Sequence, residues 1–357
     1  MLNWLMQLTK RQWPLSQAKK RALPNTPRRP LAYDAMLKQA TNTGPRFFVL
    51  SGCQGAMIAG YLQTLTLGKA SHLYLSQDKI KTFIDGEWQH YRPELEAADY
   101  IVTQKKNLAD FLVSHTSYKH KVRYFPVINV KGFHPDIVYL RNGSERLVGP
   151  MGDYHSLIIT AAYFAGLSEK QALACFSQAT YRALGFVEQF EHSRHALVKR
   201  FAEESIDLPG DMQRWDQQGT WMRTVNHPKA HVIHDVVVQV LKRDRIPLHN
   251  TAPSTVDWVE DNLARSAEWP VYPGLGLCNS HPLVNSEITH NTSLIFKSPY
   301  TCQGQSILLD MASFVSHSYR SLENVGLEEL TTNGADLAFA VRLLRDQPEL
   351  QHSPSLV

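Results

Sequence analysis

Short apolar runs alternate with amphipathic stretches between residues 46 and about 140. The runs "FFVL", "HLYL", "YIVT" and "VRYFPVI" are typical of strands, whereas 53–66 and 106–115 have the periodicity of helices. Strands that alternate with helices favour a parallel sheet with covering helices. The stretch "YLRNGSERLVGPMG" (139–152) carries two turn signals and interrupts this alternation.

The pattern after residue 150 is mainly helical. The stretch "SLIITAAYFAGLSEKQALACFSQATYRALGF" predicts two amphipathic helices, with a helix start at Ser168 and Glu169. Further helices are predicted at 187–205, 228–243, 254–266, 306–320 and 335–346. The stretch 267–305 is rich in Pro, Gly, Asn and Ser and predicts a long ordered loop.

These patterns predict an α/β fold with a parallel-sheet N-terminal half and a mainly helical C-terminal half. Residues 1–45, with "KKRALPNTPRRP", are interpreted as a basic N-terminal arm. Residues 46–150 form the α/β part, and 151–357 form a mainly helical part that completes one integrated unit.

Composition narrows the class of protein. The 357 residues are 43% hydrophobic and 20% charged, which is typical of a soluble globular protein. No apolar stretch reaches the roughly 18–20 residues of a membrane span. The start "MLNWLMQLTKRQW" lacks the layout of a signal peptide. We expect an ordinary first helix there. The alternative is a short amphipathic anchor, which would attach the protein to a membrane surface.

The cysteines and the net charge narrow the class of protein further. Cysteines at 53, 175, 278 and 302 form no CxxC pair, which indicates neither a disulfide scaffold nor a cysteine zinc site. Reduced thiols in a cytoplasm fit this pattern best. The net charge of +4 is too small to indicate nucleic acid, but it suits a small polyanionic ligand.

The stretch "LSGCQGAM" predicts a strand, a sharp turn and a helix start. Gly52 permits a tight backbone path, and the helix after Gln54 begins with N–H groups that lack internal partners. Such a terminus attracts phosphate or an oxyanion and lowers the pKa of a nearby thiol. Cys53 is therefore a candidate nucleophile, a polar residue of the site, or a small buried residue under the turn.

Polar residues follow two later strands. Gln104 comes just past "YIVT", before Lys105 and Lys106, so it is expected at the same sheet edge as the Cys53 turn. His134 and Asp136 follow "YFPVINV", where Asp136 caps a turn or both residues line this edge. Solvated lysines at a polar strand end are the alternative interpretation of 104–106.

Two histidine motifs are candidates for acid–base chemistry. In "GPMGDYHS", Asp153 is expected to cap the next helix and to orient His155 as a base. In "TVNHPKAHVIH", Pro228 suits a first helical position, with Asn226 and His227 as the entry corner. The spacing of His227, His231 and His234 invites a metal hypothesis, but no HExxH pattern accompanies it, so a polar corner facing the site is favoured over a metal site.

Taken in order, these stretches resemble the WcbI-type family of polysaccharide biosynthesis enzymes. The resemblance runs from 47 to about 245 and rests on five motifs: Gly52-Cys53-Gln54, Asp99 to Gln104, Pro135-Asp136, Asp153-Tyr154-His155 and Asn226-His227-Pro228. Ser51-Gly52 stands where the family more often has Gly-Asn, which removes an asparagine amide from this corner.

The resemblance implies that residues 46–150 bind coenzyme A or acetyl-CoA, and that the protein transfers an acetyl group to a sugar hydroxyl of a capsular or related surface polysaccharide. His155, oriented by Asp153, is then the preferred base, and His227 is the competing base. The backbone N–H groups of Cys53 and Gln54 and the glutamine side chains are the preferred oxyanion donors.

Under the same resemblance, Lys105, Lys106 and Arg223 are candidates for the phosphates of the cofactor. Two alternatives stay open. One is an esterase-type hydrolase that uses Cys53 or Ser156 with His155. The other is a non-catalytic module that binds a carbohydrate or a nucleotide.

Overall fold

The computed structural model of the protein describes residues 44–249, 253–275 and 294–351. Almost all of the predicted basic arm lies outside the described residues, and so do the first helix expected near residue 1 and residues 276–293 of the predicted loop. In the described ranges, no helix is both long enough and apolar enough to cross a membrane.

The first half of the chain builds a four-stranded parallel sheet, as predicted. Its strands are β1 (Arg46–Ser51), β2 (Lys69–Tyr74), β3 (Tyr100–Thr103) and β4 (Val122–Tyr124), arranged in the order β2-β1-β3-β4. Every neighbouring pair is parallel. Five of the six β1 residues are buried, because β1 lies in the middle of the sheet with both faces covered.

Helices cover the two faces of this sheet: α1 (Gly55–Thr66), α2 (Gln77–Asp85), α3 (Arg92–Ala97) and α4 (Lys106–His115). Side chains alternate along β1, so that Phe47 and Val49 join one apolar cluster with α1, whereas Phe48 and Leu50 join a second cluster with α2 and α4. The sheet therefore separates a large apolar core from a small one.

Short strands replace the alternation between residues 137 and 156: β5 (Ile137–Val138), β6 (Leu140–Asn142), β7 (Glu145–Arg146) and β8 (His155–Ser156). β6 and β7 form a hairpin, and β8 returns antiparallel to β5. Gly143 and Gly152 have φ angles of 57° and 69°, which are accessible to glycine without strain. The two turn signals predicted in this stretch are confirmed at these glycines.

The second half is mainly helical, which confirms the predicted fold class. Its helices are α5 (Leu157–Phe164), α6 (Glu169–Ala174), α7 (Gln178–Ala183), α8 (Gln189–Ala202), α9 (Pro209–Gln217), α10 (Ala230–Arg243), α11 (Met311–Leu322) and α12 (Leu337–Asp346). Ser168 starts α6 with a capping box to Gln171, as expected for the helix start at 168–169. Ser177 caps a further helix, so 156–186 holds three helices rather than the predicted two.

Three element predictions are wrong. Residues 254–266 fold as two 3₁₀ helices (Pro253–Trp258 and Asn262–Arg265). The segment predicted as a helix at 306–320 begins as strand β12 (Gln305–Asp310), and α11 starts only where Asp310 accepts a hydrogen bond from the Ser313 N–H. Part of the predicted loop 267–305 is strand β11 (Ile295–Cys302), which pairs with β12.

The remaining strands are β9 (Met222–Thr224), β10 (His227–Pro228) and β13 (Leu330–Thr332). β10 pairs with β9, so Pro228 is in a short strand and α10 begins two residues after the expected first helical position. Proline has no N–H to donate, and the register shifts between His227 and Pro228.

The large core is shared by both halves of the chain. Aromatic residues from beyond residue 250 pack within it: the ring centroids of Trp269 and Phe296 are 5.1 Å apart, and those of Phe296 and Phe314 are 4.2 Å apart. The same apolar cluster contains Phe47 of β1 and Leu344 of α12. The C-terminal segments thus bury surface together with the parallel sheet that carries the candidate site.

Candidate functional site

The Cys53 corner (residues 51–55) is the sharp turn between β1 and α1. The Gly55 N–H donates to the Gly52 carbonyl at 3.0 Å, and α1 then continues from Gly55. A Cβ atom at Gly55 would lie 2.2 Å from Nε2 of His72, so a side chain at this position would collide with β2. Glycine therefore lets the first turn of α1 sit close against the sheet.

Gln54 and Gln104 meet beneath this corner, at the carboxyl ends of two adjacent parallel strands. Gln104 accepts a hydrogen bond from Ser51 Oγ at 2.7 Å, and its Nε2 donates to Gln54 Oε1 at 2.9 Å. Gln54 Nε2 donates to the carbonyls of Ile128 and Asn226, at 2.8 and 2.9 Å. Both amide hydrogens of Gln54 are thus used inside the protein.

This network joins β1, β3, the chain after β4 and the Asn226 corner. Both glutamines are almost completely buried. Their convergence at one edge follows from parallel strands, as the sequence suggested. Their role as donors to an oxyanion stays a prediction, and the internal hydrogen bonds make a positioning role the more direct interpretation.

Cys53 is partly exposed at the same corner. Its Sγ atom lies 3.9 Å from both the carbonyl oxygen and Nδ2 of Asn226. Burial raises the pKa of the Cys53 thiol, whereas the positive charge of Lys105 and the backbone N–H groups of Cys53 and Gln54 lower it. The thiol is therefore protonated at neutral pH, although groups that stabilise a negative charge surround it.

Lys105 lies over the corner. Its Nζ atom would be 3.8 Å from a Cβ atom on Gly52. Burial lowers the pKa of Lys105, and among the described residues only the negative form of Cys53 acts against that effect. The corner thus offers one ammonium group and the N-terminal N–H groups of α1 to an anion.

Tyr154, Asn226 and His227 extend the site from the corner toward β9 and β10. The Tyr154 hydroxyl donates to Asn226 Oδ1 at 2.7 Å and lies 3.3 Å from His227 Nε2. Thr224 Oγ1 donates to the same hydroxyl at 3.3 Å. Hydrogen bonds therefore connect His227 to Asn226, whose amide faces the Cys53 thiol.

His227 is a neutral imidazole at neutral pH. Burial, together with the positive charge of Arg223, lowers its pKa to about 4, and Asp261 acts in the opposite direction. Only 6% of its surface is exposed. Its Nδ1 atom has no hydrogen-bond partner in the described part of the chain. A neutral imidazole in this position can accept a proton.

His155 and Asp153 are placed differently from the sequence expectation. His155 Nε2 lies 3.0 Å from the carbonyl oxygen of Leu147, and its ring packs under Gly149, where a Cβ atom would be 2.9 Å away. Burial lowers the pKa of His155. Asp153 instead accepts a hydrogen bond from Arg146 at 2.7 Å. The structure therefore brings His227 rather than His155 to Tyr154 and Asn226, and the catalytic role of each histidine stays a prediction.

The predicted cap of α5 by Asp153 is wrong. Ser156 is the N-cap residue, and its hydroxyl accepts from the Ile159 N–H at 3.0 Å. Pairing of β8 with β5 keeps the chain extended through His155 and Ser156, so α5 begins only at Leu157, too far along the chain for Asp153 to cap it. Asp136, which was an alternative for the sheet edge, is fully buried and accepts from the Ile158 N–H at 2.9 Å.

The other predicted ligands have partners of their own. Lys106 pairs with Asp110 at 3.1 Å, and its Nζ lies 5.2 Å from the centroid of the Tyr124 ring. Arg223 pairs with Asp261 at 2.9 Å and with Glu268 at 3.2 Å. Of the three predicted phosphate-binding cations, Lys105 is the one that approaches the Cys53 corner.

The histidine series after residue 226 does not converge on one point. His234 Nε2 lies 2.8 Å from Thr255 Oγ1, and its Nδ1 lies 3.0 Å from Asp235 Oδ1. His134 Nε2, by contrast, lies 3.2 Å from the carbonyl of Met222. Across 44–249, 253–275 and 294–351, no group of three or more His, Cys, Asp or Glu residues is placed to hold a metal ion.

Sequence reasoning missed Tyr154 and Thr224. Tyr154 stands between the two residues of the Asp-x-His motif, where it was treated as a spacer. The signal available was its position next to a glycine-rich turn, but its partners Thr224 and Asn226 are some 70 residues away in the chain. Only the pairing of distant segments shows that its hydroxyl is the centre of the network.

Comparison with known proteins places this geometry in a family. A protein-family model described as "Polysaccharide biosynthesis enzyme WcbI" matches residues 46–249, which is more than half of the 357 residues. The matched span contains the parallel sheet, the Cys53 corner, Tyr154 and His227. No curated protein and no solved structure matched the chain.

Proposed function

The chain belongs to the WcbI family of polysaccharide biosynthesis enzymes, and on that premise we propose that it is a coenzyme A-dependent O-acetyltransferase that acts on a sugar hydroxyl. Family membership makes it a polysaccharide biosynthesis enzyme with a carbohydrate substrate. The acetyl transfer, the acyl-CoA donor and the place in capsular or related surface polysaccharide synthesis are the proposed part.

One observation carries the proposal: an anion-stabilising corner and a neutral base are joined by hydrogen bonds. Acyl transfer to an alcohol needs donors for a developing oxyanion and a base for the hydroxyl proton. The N–H groups of Cys53 and Gln54, with Lys105 beside them, suit the first task. His227 suits the second, since its pKa of about 4 leaves it unprotonated.

The residues at the corner also fit the cofactor. Coenzyme A carries phosphate groups, and when bound it supplies the acyl group as an activated thioester. Lys105 and the start of α1 would hold its anionic part, because both favour negative charge and Lys105 has no carboxylate partner in the described segments. Arg223 is a weaker candidate, since two carboxylates already neutralise it.

We assign the base to His227 in preference to His155. The Tyr154 hydroxyl lies between His227 and the corner, and burial raises its pKa well above the ordinary value, so it remains a phenol at neutral pH. In the proposed relay the phenol hydrogen turns from Asn226 Oδ1 to His227 Nε2, and the phenol oxygen takes up the proton of the sugar hydroxyl in its place. His155 is bonded to a backbone carbonyl and packed under a turn, which leaves it without such a path.

An esterase-type hydrolase is the second candidate, and Cys53 is the observation that favours it. A partly exposed thiol beside two N–H groups is the arrangement of a covalent nucleophile. Its raised pKa opposes a resting thiolate. Ser156, the other candidate nucleophile, is buried and its hydroxyl caps α5. A non-catalytic binding module does not agree with membership in an enzyme family.

We also propose a cytoplasmic location. Cys53, Cys175 and Cys302 are free thiols. Free thiols suit a reducing compartment. The proposed acyl-CoA donor would also be used in the cytoplasm.

Calorimetric titration with coenzyme A and acetyl-CoA tests donor binding. We expect wild-type protein to bind both, and Lys105→Ala to weaken binding about tenfold, because one charge-assisted contact is worth about 1.4 kcal/mol. Lys81→Ala removes an exposed lysine on α2 and is the matched control, with unchanged affinity expected. The absence of heat with either ligand at millimolar concentration would contradict the proposal.

Activity of two histidine variants tests the assigned base. With acetyl-CoA and a carbohydrate acceptor, His227→Ala is expected to lower kcat by about 10²- to 10⁴-fold, the usual contribution of a general base. His155→Ala is the comparison: its effect should appear mainly as lost stability, because its ring packs under Gly149. Loss of turnover in a folded His155→Ala protein, with His227→Ala active, would reverse the assignment.

A further inference from the structure

Tyr74 is exposed beside the Cys53 corner, and Tyr300 is exposed on strand β11. Tyr74 has 56% of its surface exposed and Tyr300 has 37%, whereas Tyr154 and Tyr272 are buried. Tyr74 is the last residue of β2 and is paired in register with Ser51, two residues before Cys53. An exposed tyrosine next to a candidate site offers a ligand both an aromatic face and a hydroxyl group.

β11 places Tyr300 next to the turn that precedes Asp153. The Ser298 hydroxyl donates to the carbonyl of Pro150 at 2.7 Å, and the Tyr300 N–H donates to that hydroxyl at 3.2 Å. A Cβ atom on Gly152 would lie 3.1 Å from the Pro299 ring. The start of the β11–β12 hairpin is therefore docked on the turn that immediately precedes Asp153.

Ion pairs connect the segments that adjoin the two tyrosines. Arg146 contacts Asp153 at 2.7 Å and Asp78 at 3.3 Å, and Arg141 contacts Asp78 at 3.1 Å. Asp78 lies in the first turn of α2, which follows β2 and Tyr74. Asp153 directly follows the turn on which Pro299 is docked, so this ion-pair group links the segment before Tyr300 to the helix that follows Tyr74.

We propose that Tyr74 and Tyr300 form a platform for the acceptor sugar, with Asp153 and Arg146 between them as hydrogen-bond partners for its hydroxyls. We call this group the tyrosine platform. The C–H groups on one face of a pyranose ring carry partial positive charge and pack on the negative face of an aromatic ring. This inference rests on the proposed function and adds the subsite and the class of sugar.

The charges of the platform select a neutral sugar. Asp78 and Asp153 carry two negative charges, and Arg141 and Arg146 carry two positive charges, so the ion-pair group has no net charge. A uronic acid would place its carboxylate next to Asp78 and Asp153. Arg141 and Arg146 are already paired with these two residues, so neither is free to bind it. Partly exposed carboxylate oxygens, by contrast, accept hydrogen bonds from sugar hydroxyls readily. A sugar held on Tyr74 would lie next to the Cys53 corner, because Tyr74 is paired in register with Ser51.

Saturation-transfer NMR tests the platform directly and without coenzyme A. The probes are the methyl glycosides of mannose, galactose, glucose and glucuronic acid at millimolar concentration. We expect transfer to ring protons of at least one neutral glycoside, and none to the glucuronide. Tyr74→Ala should reduce the transfer at least fivefold, whereas Tyr74→Phe, which keeps the aromatic face, should retain it.

Phe339→Ala is the matched control, because Phe339 on α12 is a comparably exposed aromatic residue with 41% exposure. Its glycoside signals should equal those of wild type. Coenzyme A titrated into Tyr74→Ala separates this inference from the proposed function: unchanged affinity is expected. Weakened coenzyme A binding with unchanged glycoside signals would assign Tyr74 to the nucleotide and overturn the platform. The absence of transfer to every neutral glycoside in wild type would overturn it as well.

Discussion

Gln104 shows how a single buried amide holds the candidate site together. It accepts from Ser51 Oγ and donates to Gln54 Oε1, so it links the ends of β1 and β3 at the Cys53 corner. Replacing it by leucine gives an apolar side chain of similar size and leaves the Ser51 hydroxyl without its acceptor. We expect Gln104→Leu to lower the free energy of unfolding by about 2–3 kcal/mol, the usual cost of unsatisfied buried groups.

Urea unfolding measures this loss. Gln89→Leu is the control, because Gln89 is exposed, and its effect should stay within about 0.5 kcal/mol of wild type. Equal stability of the Gln104→Leu and Gln89→Leu proteins would show that the glutamine network does not support the corner.

His227 makes stability depend on pH. In the folded protein its pKa is lowered from 6.5 to about 4, mainly by burial, so the unfolded chain binds a proton in a range where the folded protein does not. Stability is therefore lost as pH falls from 6.5 toward 4. One unit of pKa corresponds to about 1.4 kcal/mol, so this residue alone removes about 2 kcal/mol between pH 7 and pH 5.

We expect the His227→Gln protein to lose about 2 kcal/mol less than wild type between pH 7 and pH 5, measured by urea unfolding at both values. His134→Gln should show a similar change, because burial also lowers the pKa of His134 to about 4. Parallel pH dependence in wild type and His227→Gln would contradict this, because it would mean that folding leaves the pKa of His227 unchanged.

Two substitutions before α5 test whether Ser156 or Asp153 caps this helix. Ser156 accepts from the Ile159 N–H, whereas Asp153 pairs with Arg146 on the surface. We expect Ser156→Ala to cost about 1 kcal/mol, as a lost N-cap does. Asp153→Ala should cost less than about 0.5 kcal/mol, because exposed ion pairs contribute little. Urea unfolding followed by far-UV circular dichroism gives both values, and the reverse order would restore Asp153 as the cap.

Elements with continuous apolar patterns could be predicted from the sequence. The run "FFVL" lies within β1, and the helix predicted at 106–115 has the same bounds as α4. Such elements bury several residues on one face or on both, so the period of the pattern is visible in a short window. The same reasoning located the Cys53 corner and Gln104 at one edge, because the carboxyl ends of adjacent parallel strands meet there.

Elements stabilised by distant partners could not be predicted. β8 has only two residues and exists because it pairs with β5, so no periodicity marks it. The β11–β12 hairpin turns at Gln303 and Gly304, whose φ angles are 49° and 76°. A Gln-Gly turn is a weaker signal than Asn-Gly, and the apolar residues of β12 continued smoothly into the helical pattern of α11.

The same limit applies to the site. The Asp-x-His motif suggested an orienting carboxylate beside a base, yet Asp153 accepts from Arg146, and His155 Nε2 lies 3.0 Å from the carbonyl oxygen of Leu147. Within that motif, Tyr154 is the residue that reaches the candidate site, where its hydroxyl contacts Thr224 and Asn226. A motif specifies residue types, but the direction of each side chain depends on strands that pair across the chain.

At the scale of the whole molecule, segments beyond the family match hold the matched region together. Tyr272 donates its hydroxyl hydrogen to Asp136 at 2.8 Å, and Asp136 also accepts from the Ile158 N–H at the start of α5. Trp269 Nε1 donates to Tyr272 at 2.9 Å. Asp136 and Tyr272 are both buried, so this link lies inside the shared core.

Removing this link should weaken the whole protein rather than one segment. Tyr272→Phe takes one donor away from a buried carboxyl group, and we expect it to lower the free energy of unfolding by about 2 kcal/mol. Because the large core includes residues from both halves, tryptophan fluorescence and far-UV circular dichroism should report the same shift of the urea midpoint. Tyr74→Phe removes an exposed hydroxyl and should leave the midpoint unchanged. A fluorescence midpoint that moves while the dichroism midpoint does not would show that the segments after residue 250 unfold separately from the parallel sheet.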